Sequence, residues 1–150
     1  MQNMSWIQPP GYVHQMIHQT WLPFALEVDA VGGTAPNATL SASAQISEDG
    51  RQLRILVANN GTASCKTDVV VNGWKKVAVK ASGGGSGGGA GFSVAANVTT
   101  LTGDGDDANT PADPTRISPT LRALQWKEAG GPTQVTFPPL SFAVITLSQQ

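Results

Sequence analysis

The chain has 150 residues, of which 40% are hydrophobic and 13% are charged, and its formal net charge is −1. This length supports one domain with a core of its own and scarcely two. Nine basic residues balance ten acidic ones, so no net field attracts nucleic acid or an anionic membrane, and no apolar run is long enough to span a bilayer. The Ser, Thr and Gly content favours strands and turns, which predicts a mostly β domain.

Cysteine and asparagine patterns bear on the compartment of the protein. Cys65 stands alone, which excludes an intrachain disulfide and a Cys-based metal site and predicts a small buried hydrophobe. Four N-glycosylation sequons, an excess over chance, favour a secreted, extracellular parent protein. The N-terminus lacks the regions of a signal peptide, so we expect a piece cut from a longer chain. The sequon asparagines are Asn3, Asn37, Asn60 and Asn97.

One helix is predicted, over residues 9–22. Pro9 and Pro10 suit its first turn, and Pro23 is expected to end it. Apolar residues recur along it with the 3.6-residue period of an amphipathic helix. These residues are Val13, Met16, Ile17 and Trp21.

Residues 24–150 are predicted to form short strands separated by turns. Ser47 to Gly50 is a good hairpin turn between the second and third of them. The fold class expected is an all-β, antiparallel two-sheet β-sandwich, jelly-roll-like, preceded by one short N-terminal helix within residues 1–23. The nine predicted strands span residues 24–31, 40–46, 52–58, 67–71, 76–81, 92–101, 121–126, 134–137 and 142–147.

Two irregular stretches interrupt the strands. Gly83 to Gly91 consists almost entirely of glycine and predicts a flexible hairpin loop, without the Lys-Ser/Thr pair and helix of a phosphate cradle. Gly103 to Pro119 is a long loop with three prolines. A loop of that length in a compact domain usually has a function or forms an interface.

His14 and His18 have the spacing of the metal-binding helix of zinc peptidases. That chemistry requires a glutamate after the first histidine, where this chain has Gln15, whose amide cannot take a proton from metal-bound water. The two histidines are therefore expected on the wet face of the helix.

The acidic run Asp104, Asp106 and Asp107 is a weak candidate for an irregular calcium site with oxygen ligands. An EF-hand needs a glutamate where this chain has Thr115. A solvated acidic turn is the simpler interpretation, and we predict no metal and no cofactor.

Glu27 and Asp29 are the carboxylate pair that local geometry brings together, because residues i and i+2 of a strand share one face. Their expected separation of roughly 6.5–7 Å is near the range used by glycosidases. The simpler interpretation is the polar face of a half-buried strand. The sequence shows no nucleophile elbow and no catalytic triad.

Three motifs follow one another along the chain. The first is the helix from Pro9 with the Leu-Pro-Phe-Ala-Leu-Glu-Val that succeeds it, and the second runs from Leu101 through Asn109-Thr-Pro to Ile117-Ser-Pro. The third is the ending Phe137-Pro-Pro-Leu-Ser-Phe-Ala-Val-Ile-Thr-Leu. In this order they resemble the barrel–sandwich junction, a C-terminal element and the closing strand of α-L-arabinofuranosidases of glycoside hydrolase family 51.

The resemblance implies a C-terminal sandwich without its catalytic barrel. Family members release terminal arabinofuranose from arabinan and arabinoxylan with two glutamates on a (β/α)8 barrel, one of them within an Asn-Glu dipeptide. This chain contains no such dipeptide and is too short for a barrel. No catalytic residue is carried over, and we do not expect the chain to be an enzyme by itself.

Two hypotheses therefore remain open. In the first, the chain is a structural module that normally packs on a catalytic barrel. Its helix, within residues 1–23, resembles the last helix of that barrel, and its Pro-rich loop is part of the interface, so that Val13, Met16, Ile17 and Trp21 are interface residues. Without that partner the chain self-associates or folds its helix back on the sandwich. In the second, it is a stand-alone module that binds polysaccharide or another protein through exposed Trp residues or the acidic loop. A line of Trp on one sheet face favours the second, whereas open apolar residues around helix and loop favour the first.

Overall fold

The computed structural model of the chain describes residues 5–29, 39–74, 94–127 and 131–150. Within these ranges the chain forms one helix and eight strands. The strand predicted at 76–81 and the Gly-rich loop lie outside the described residues. The elements are α1 (Pro9–Gln19), β1 (Phe24–Leu26), β2 (Leu40–Ile46), β3 (Gln52–Asn59), β4 (Cys65–Val69), β5 (Val94–Thr102), β6 (Thr120–Ala123), β7 (Thr133–Phe137) and β8 (Ser141–Gln149).

Antiparallel pairing joins the strands into two sheets. The larger has six strands in the order β1-β2-β3-β8-β5-β6, and the smaller pairs β4 with β7. The longest strands, β5 and β8, lie side by side near the middle of the large sheet. This arrangement confirms the predicted all-β sandwich with one short helix before it.

The core lies between the two sheets. Inward residues of the central strands alternate with outward ones, as the two-residue period of a strand requires. They pack against Val135 and Phe137 of β7, each 1% exposed. Cys65 on β4 is buried, as predicted. The inward side chains of the large sheet include Leu53, Ile55, Val57, Val98, Ile145 and Leu147.

Helix α1 ends earlier than its sequence pattern predicts. Its last residue is Gln19, and Thr20 follows as the C-cap. The Thr20 hydroxyl donates to the carbonyl of Met16 at 2.7 Å, which satisfies one of the free carbonyls of the last turn. The prediction of helix through residue 22 was therefore wrong, because Thr20, and not Pro23, ends it. With 11 residues α1 is short, and no helix in the described part of the chain is long and apolar enough to cross a membrane.

The strand boundaries shift by a few residues from those predicted. The largest difference is at β1, which ends at Leu26 although strand was predicted to residue 31. Val28 nevertheless packs against the core. The turn at 47–50 joins β2 to β3 as predicted, and Gly50 adopts a positive φ of 70° there, which glycine reaches without strain.

Candidate functional site

The outward face of the six-stranded sheet carries helix α1 and is called here the helix-bearing face. A second apolar cluster joins Met16 of the helix to Leu101 on β5 and Val144 on β8, and Ile117 of the long loop completes it. Met16 is 5% exposed and Val144 is 1% exposed. The large sheet is thus covered on both sides at its centre, by β4 and β7 on one side and by α1 on the other.

Asn109 ties the segment before the helix to the long loop. Its side-chain Nδ2 donates to the carbonyls of Ile7 at 2.7 Å and Ile117 at 2.9 Å, and its Oδ1 accepts from the Ile117 amide at 2.7 Å. Its own carbonyl accepts from the Trp6 indole and the Gln8 amide, both at 2.9 Å. At 3% exposure Asn109 satisfies its side chain and clamps chain regions about a hundred residues apart.

Arg54 contacts the C-terminal end of helix α1. It projects outward from β3, between Gln45 on β2 and Thr146 on β8. Its Nη1 donates to the carbonyl of Ile17 in the last turn of α1 at 3.0 Å, where a cation also suits the helix dipole. The residue is 1% exposed, and burial lowers the pKa of its guanidinium. Its Nε and Nη2 have no hydrogen-bond partner among the described residues.

Large apolar side chains remain open around the helix and the long loop. Ile7 precedes the helix with 43% exposure, and Trp21 follows it with 63%. Leu121, at 70%, points outward from β6 in the same cross-strand row as Val144. Leu140, at 42%, lies beside Gly105 of the loop. Ile7 and Trp21 thus lie at the two ends of α1, and Leu121 lies on the edge strand β6 of the same face.

The four residues predicted as an interface have different surroundings. Met16 is covered within the chain, because α1 folds back on the sandwich. Val13 packs half-buried at the edge of the same cluster, and Ile17 is half-buried above Arg54. Trp21 is open to solvent.

Glu27 and Asp29 do not share a strand face, because β1 ends at Leu26. Both are exposed, and both line a cleft of about 780 Å³ between the sheets. Apart from Asp68 and a few small polar residues, the rest of its lining is apolar, with residues such as Leu40, Ile55 and Val69. The geometric premise for a catalytic pair therefore fails, since it required a continuous strand through residue 29.

The other candidate side chains lie at the surface or in an ion pair. His14 and His18 are exposed on α1. Asp107 forms an ion pair with Arg116 at 2.6 Å, and Asp104 and Asp106 are exposed beside it. In the described ranges, no group of three or more His, Cys, Asp or Glu side chains is placed to hold a metal ion.

The tryptophans do not form a line on one sheet face. The Trp6 indole is engaged with Asn109, and the Trp74 indole donates to the carbonyl of Gly50 at 2.8 Å. Trp74 and Trp126 both pack against the core between the sheets. This leaves Trp21 as the exposed member of the four.

Two residues of this face, Arg54 and Asn109, have structural roles that the sequence pattern did not assign. Arg54 occupies an outward strand position, which predicts a solvated side chain. A contrary signal is present in β8, where Phe142 to Leu147 is almost continuously apolar. A strand apolar on both faces is typical of a sheet covered on both sides.

The fold resembles one part of several much larger enzymes. An α-L-arabinofuranosidase from Thermotoga maritima, in complex with arabinose, is 30% identical with a TM-score of 0.54 over 73% of this chain and 19% of its own. The arabinose-bound α-L-arabinofuranosidase MgGH51 matches 99% of this chain and 20% of its own, with a TM-score of 0.67 and 18% identity. The family 51 enzyme AbfB from Bifidobacterium longum gives 16% identity, a TM-score of 0.57, and coverages of 95% and 26%.

The chain thus spans about a fifth to a quarter of the length of these enzymes. No protein-family model and no curated protein matches it. The sandwich fold and the helix before it agree with the order of motifs in the sequence. The matches to MgGH51 and AbfB extend over nearly the whole chain, as those motifs do. The chain therefore matches the non-catalytic C-terminal β-sandwich part of family 51 α-L-arabinofuranosidases, without their catalytic barrel.

Proposed function

We propose that the chain is the sandwich module of an arabinan- or arabinoxylan-degrading α-L-arabinofuranosidase, and that its helix-bearing face packs against the catalytic barrel and supports it. The observation that carries this is the set of open apolar side chains around the helix and the long loop. Large apolar side chains left exposed on one face are a feature of surfaces that bind another protein domain. Trp21 and Leu121 contribute most, at 63% and 70% exposure.

The two polar anchors of the helix support the same function. Asn109 fixes the segment before α1, and Arg54 bonds its last turn. A helix held at both ends has a fixed orientation on the sheet. Such a helix transmits a fixed orientation to any domain that precedes it, which is what a supporting module requires.

The alternative, a stand-alone module that binds polysaccharide, has less support. Sugar platforms use exposed aromatic faces that lie in line, because each ring packs against one sugar. Trp6, Trp74 and Trp126 have partners inside the domain instead.

A chimera tests the proposal. The sandwich of the Thermotoga maritima enzyme is replaced by this chain, and thermal inactivation is followed by hydrolysis of an aryl α-L-arabinofuranoside. We expect the chimera to be active. The double variant Trp21→Ser/Leu121→Ser should inactivate faster, whereas the double variant Gln15→Ser/Gln134→Ser, at exposed polar positions, is the control. Equal inactivation of the two variants, together with retention of this chain by an arabinoxylan affinity gel, would favour the alternative.

The isolated chain is expected not to hydrolyse the same aryl arabinofuranosides. Retaining hydrolysis needs two carboxyl groups about 5–5.5 Å apart that flank the bond to be broken. A purified chain is assayed beside its Glu27→Gln variant. Turnover by the chain that disappears in the variant would refute this expectation and make Glu27 a catalytic residue.

We also infer a secreted, glycosylated parent protein from the four sequons. Asn60 is exposed between β3 and β4 and suits a glycan. Asn97 points outward from β5 in the cross-strand row of Arg54, so a glycan there and a domain docked on the helix-bearing face exclude each other. Expression in a glycosylating host, with Asn60→Gln and Asn97→Gln compared by mass, tests this: the mass should fall with the first variant.

Self-association of the free chain follows from the same open surface. Sedimentation at micromolar concentration is expected to show a dimer or larger species that Trp21→Ser weakens. A monomer at all concentrations would show that the folded-back helix leaves too little apolar surface for a second copy.

A further inference from the structure

The Arg54 guanidinium is buried with most of its hydrogen-bonding capacity unused. Nη1 reaches the Ile17 carbonyl, while Nε and Nη2 have no partner among the described residues. Desolvation lowers the pKa of the group, and no charged neighbour within the described ranges offsets that effect. A buried charge without a counter-ion is costly, because the interior solvates it far less well than water does. A negatively charged hydrogen-bond acceptor would therefore stabilise the Arg54 guanidinium.

The helix-bearing face offers no counter-ion of its own. In the described part of the chain, no carboxylate lies on α1 or at an outward position of the six strands. Arg54 has Gln45 and Thr146 beside it, with Asn97 beyond Thr146. The outward residues of the large sheet are Ala25, Ser41, Ser43, Gln45, Gln52, Arg54, Leu56, Ala58, Ala95, Asn97, Thr99, Leu101, Leu121, Ala123, Phe142, Val144, Thr146 and Ser148.

The two guanidinium nitrogens without a partner among the described residues, Nε and Nη2, indicate the chemical class of ligand that fits Arg54. In a guanidinium the Nε–H and one Nη2–H point in the same direction and form the side-on fork, whose spacing matches the two oxygens of a carboxylate. A carbonyl would satisfy one of these donors and would leave the charge uncompensated. We propose that the side-on fork of Arg54 receives a carboxylate side chain of the barrel domain that docks on the helix-bearing face. This inference rests on the proposed function.

The fork is close enough to the surface for this contact. The residues that flank Arg54, namely Ile17, Gln45 and Thr146, are each only half-buried. The guanidinium therefore lies about one side-chain layer below solvent. Rotamer changes of these flanking side chains would expose the Arg54 fork to a partner, and such changes are common when an interface forms. Trp21, 63% exposed, precedes Leu22, whose amide donates to the side chain of Gln45 beside Arg54, so it supplies apolar cover for the ion pair once the domains are docked.

The first test compares the isolated chain with the chimera described above. Arg54→Met removes a buried cation for which the described part of the chain supplies no counter-ion, so the unfolding midpoint of the isolated chain should not fall. In the chimera the same change leaves the barrel carboxylate buried and unpaired, and inactivation should be at least about tenfold faster. Arg54→Lys keeps the charge but loses the fork, and is expected to behave like Arg54→Met in the chimera. Arg122→Met, at an exposed arginine of β6, is the matched control.

Sodium formate provides an independent test of the fork in the isolated chain. Formate is the smallest carboxylate, and at constant ionic strength it should shift the Arg54 Nε–H resonance and raise the unfolding midpoint relative to chloride. The rise in unfolding midpoint should be absent in Arg54→Met and Arg54→Lys.

The outcomes separate the two proposals. A chimera that never folds, with a formate response intact, contradicts the proposed docking function while the carboxylate site stands. An active chimera that Arg54→Met leaves unchanged, or equal losses in chimera and isolated chain, would overturn the inter-domain ion pair. No formate response in the wild-type chain would overturn the carboxylate site itself.

Discussion

The two faces of the six-stranded sheet are covered in different ways. On the inner face, apolar residues of β3, β5 and β8 meet Val135 and Phe137 of β7. On the outer face, a small apolar cluster around Met16 is flanked by two polar anchors, Asn109 and Arg54. The inner face carries the larger core, with an apolar cleft at its β1 edge where Phe24 and Leu26 are exposed. The outer face has a smaller core beside a buried cation that has no counter-ion among the described residues. The docking proposed for the helix-bearing face depends on this difference.

The largest effect is expected at the inner face. Phe137→Ala removes an aromatic side chain that is 1% exposed, and a loss of about 3–5 kcal/mol of unfolding free energy follows from the lost burial and the cavity. Urea unfolding followed by Trp fluorescence measures it. Gln134→Ala, at an exposed position of the same strand, is the control and should change little. A loss below about 1 kcal/mol would contradict the sandwich core.

At the outer face, Met16→Ala should cost about 2–4 kcal/mol, because Met16 is 5% exposed among Leu101, Ile117 and Val144. Alanine keeps the helix propensity of α1, so the loss reports packing on the sheet. The exposed neighbour Gln15→Ala is the matched control in the same unfolding assay. If the two variants were equally stable, α1 would not be packed on the sandwich.

Asn109→Ala tests the polar anchor before the helix. It removes three side-chain hydrogen bonds and leaves the buried Ile117 backbone without its partner, so we expect a loss of about 2–3 kcal/mol. Hydrogen exchange of the Ile117 amide should accelerate, and the Trp6 emission should shift to the red. Asn72→Ala, at an exposed position, provides the comparison. Unchanged exchange at Ile117 would argue against the clamp.

The smallest effect is expected at the loop ion pair. Arg116 is 54% exposed and Asp107 21%, so solvent and salt screen their contact. Asp107→Asn should cost no more than about 0.5 kcal/mol at low salt, and less at 1 M salt. Asp106→Asn serves as the reference for removal of a nearby exposed charge. A loss above about 1 kcal/mol that persists in high salt would assign the loop a larger structural role.

The sequence predicted the architecture because strand periodicity and turn chemistry are local signals. The hairpin at Ser47 to Gly50, the single helix and the strands of the large sheet followed from patterns within about ten residues. The predicted boundaries of helices and strands were wrong where a distant or unrecognised contact decides where the element ends. Thr20 ends α1 through its own hydroxyl, and beyond it the side-chain Oε1 of Gln45 accepts from the Leu22 amide at 3.3 Å.

The candidate site was less accessible to sequence reasoning. The catalytic premise for Glu27 and Asp29 depended on a strand that the structure ends at Leu26. Arg54 has the position of a solvated side chain, and its burial depends on a helix 37 residues away in sequence. Asn109 belonged to a motif of the resemblance, but its three-way clamp depends on residues that fold against it from the N-terminal segment.

The sequence by itself determined the alternation that buries one face of each strand and the turns that reverse the chain. It also showed the resemblance to the C-terminal sandwich of family 51 α-L-arabinofuranosidases. Those features arise from neighbours in the chain, so short-range composition is sufficient to specify them. The tertiary structure decided that α1 covers the outward face, that Met16 becomes core and Trp21 remains open, and that Arg54 is buried with its fork unpaired. Each of these is a contact between residues far apart in sequence, and the energy of burial exists only once the two elements have met.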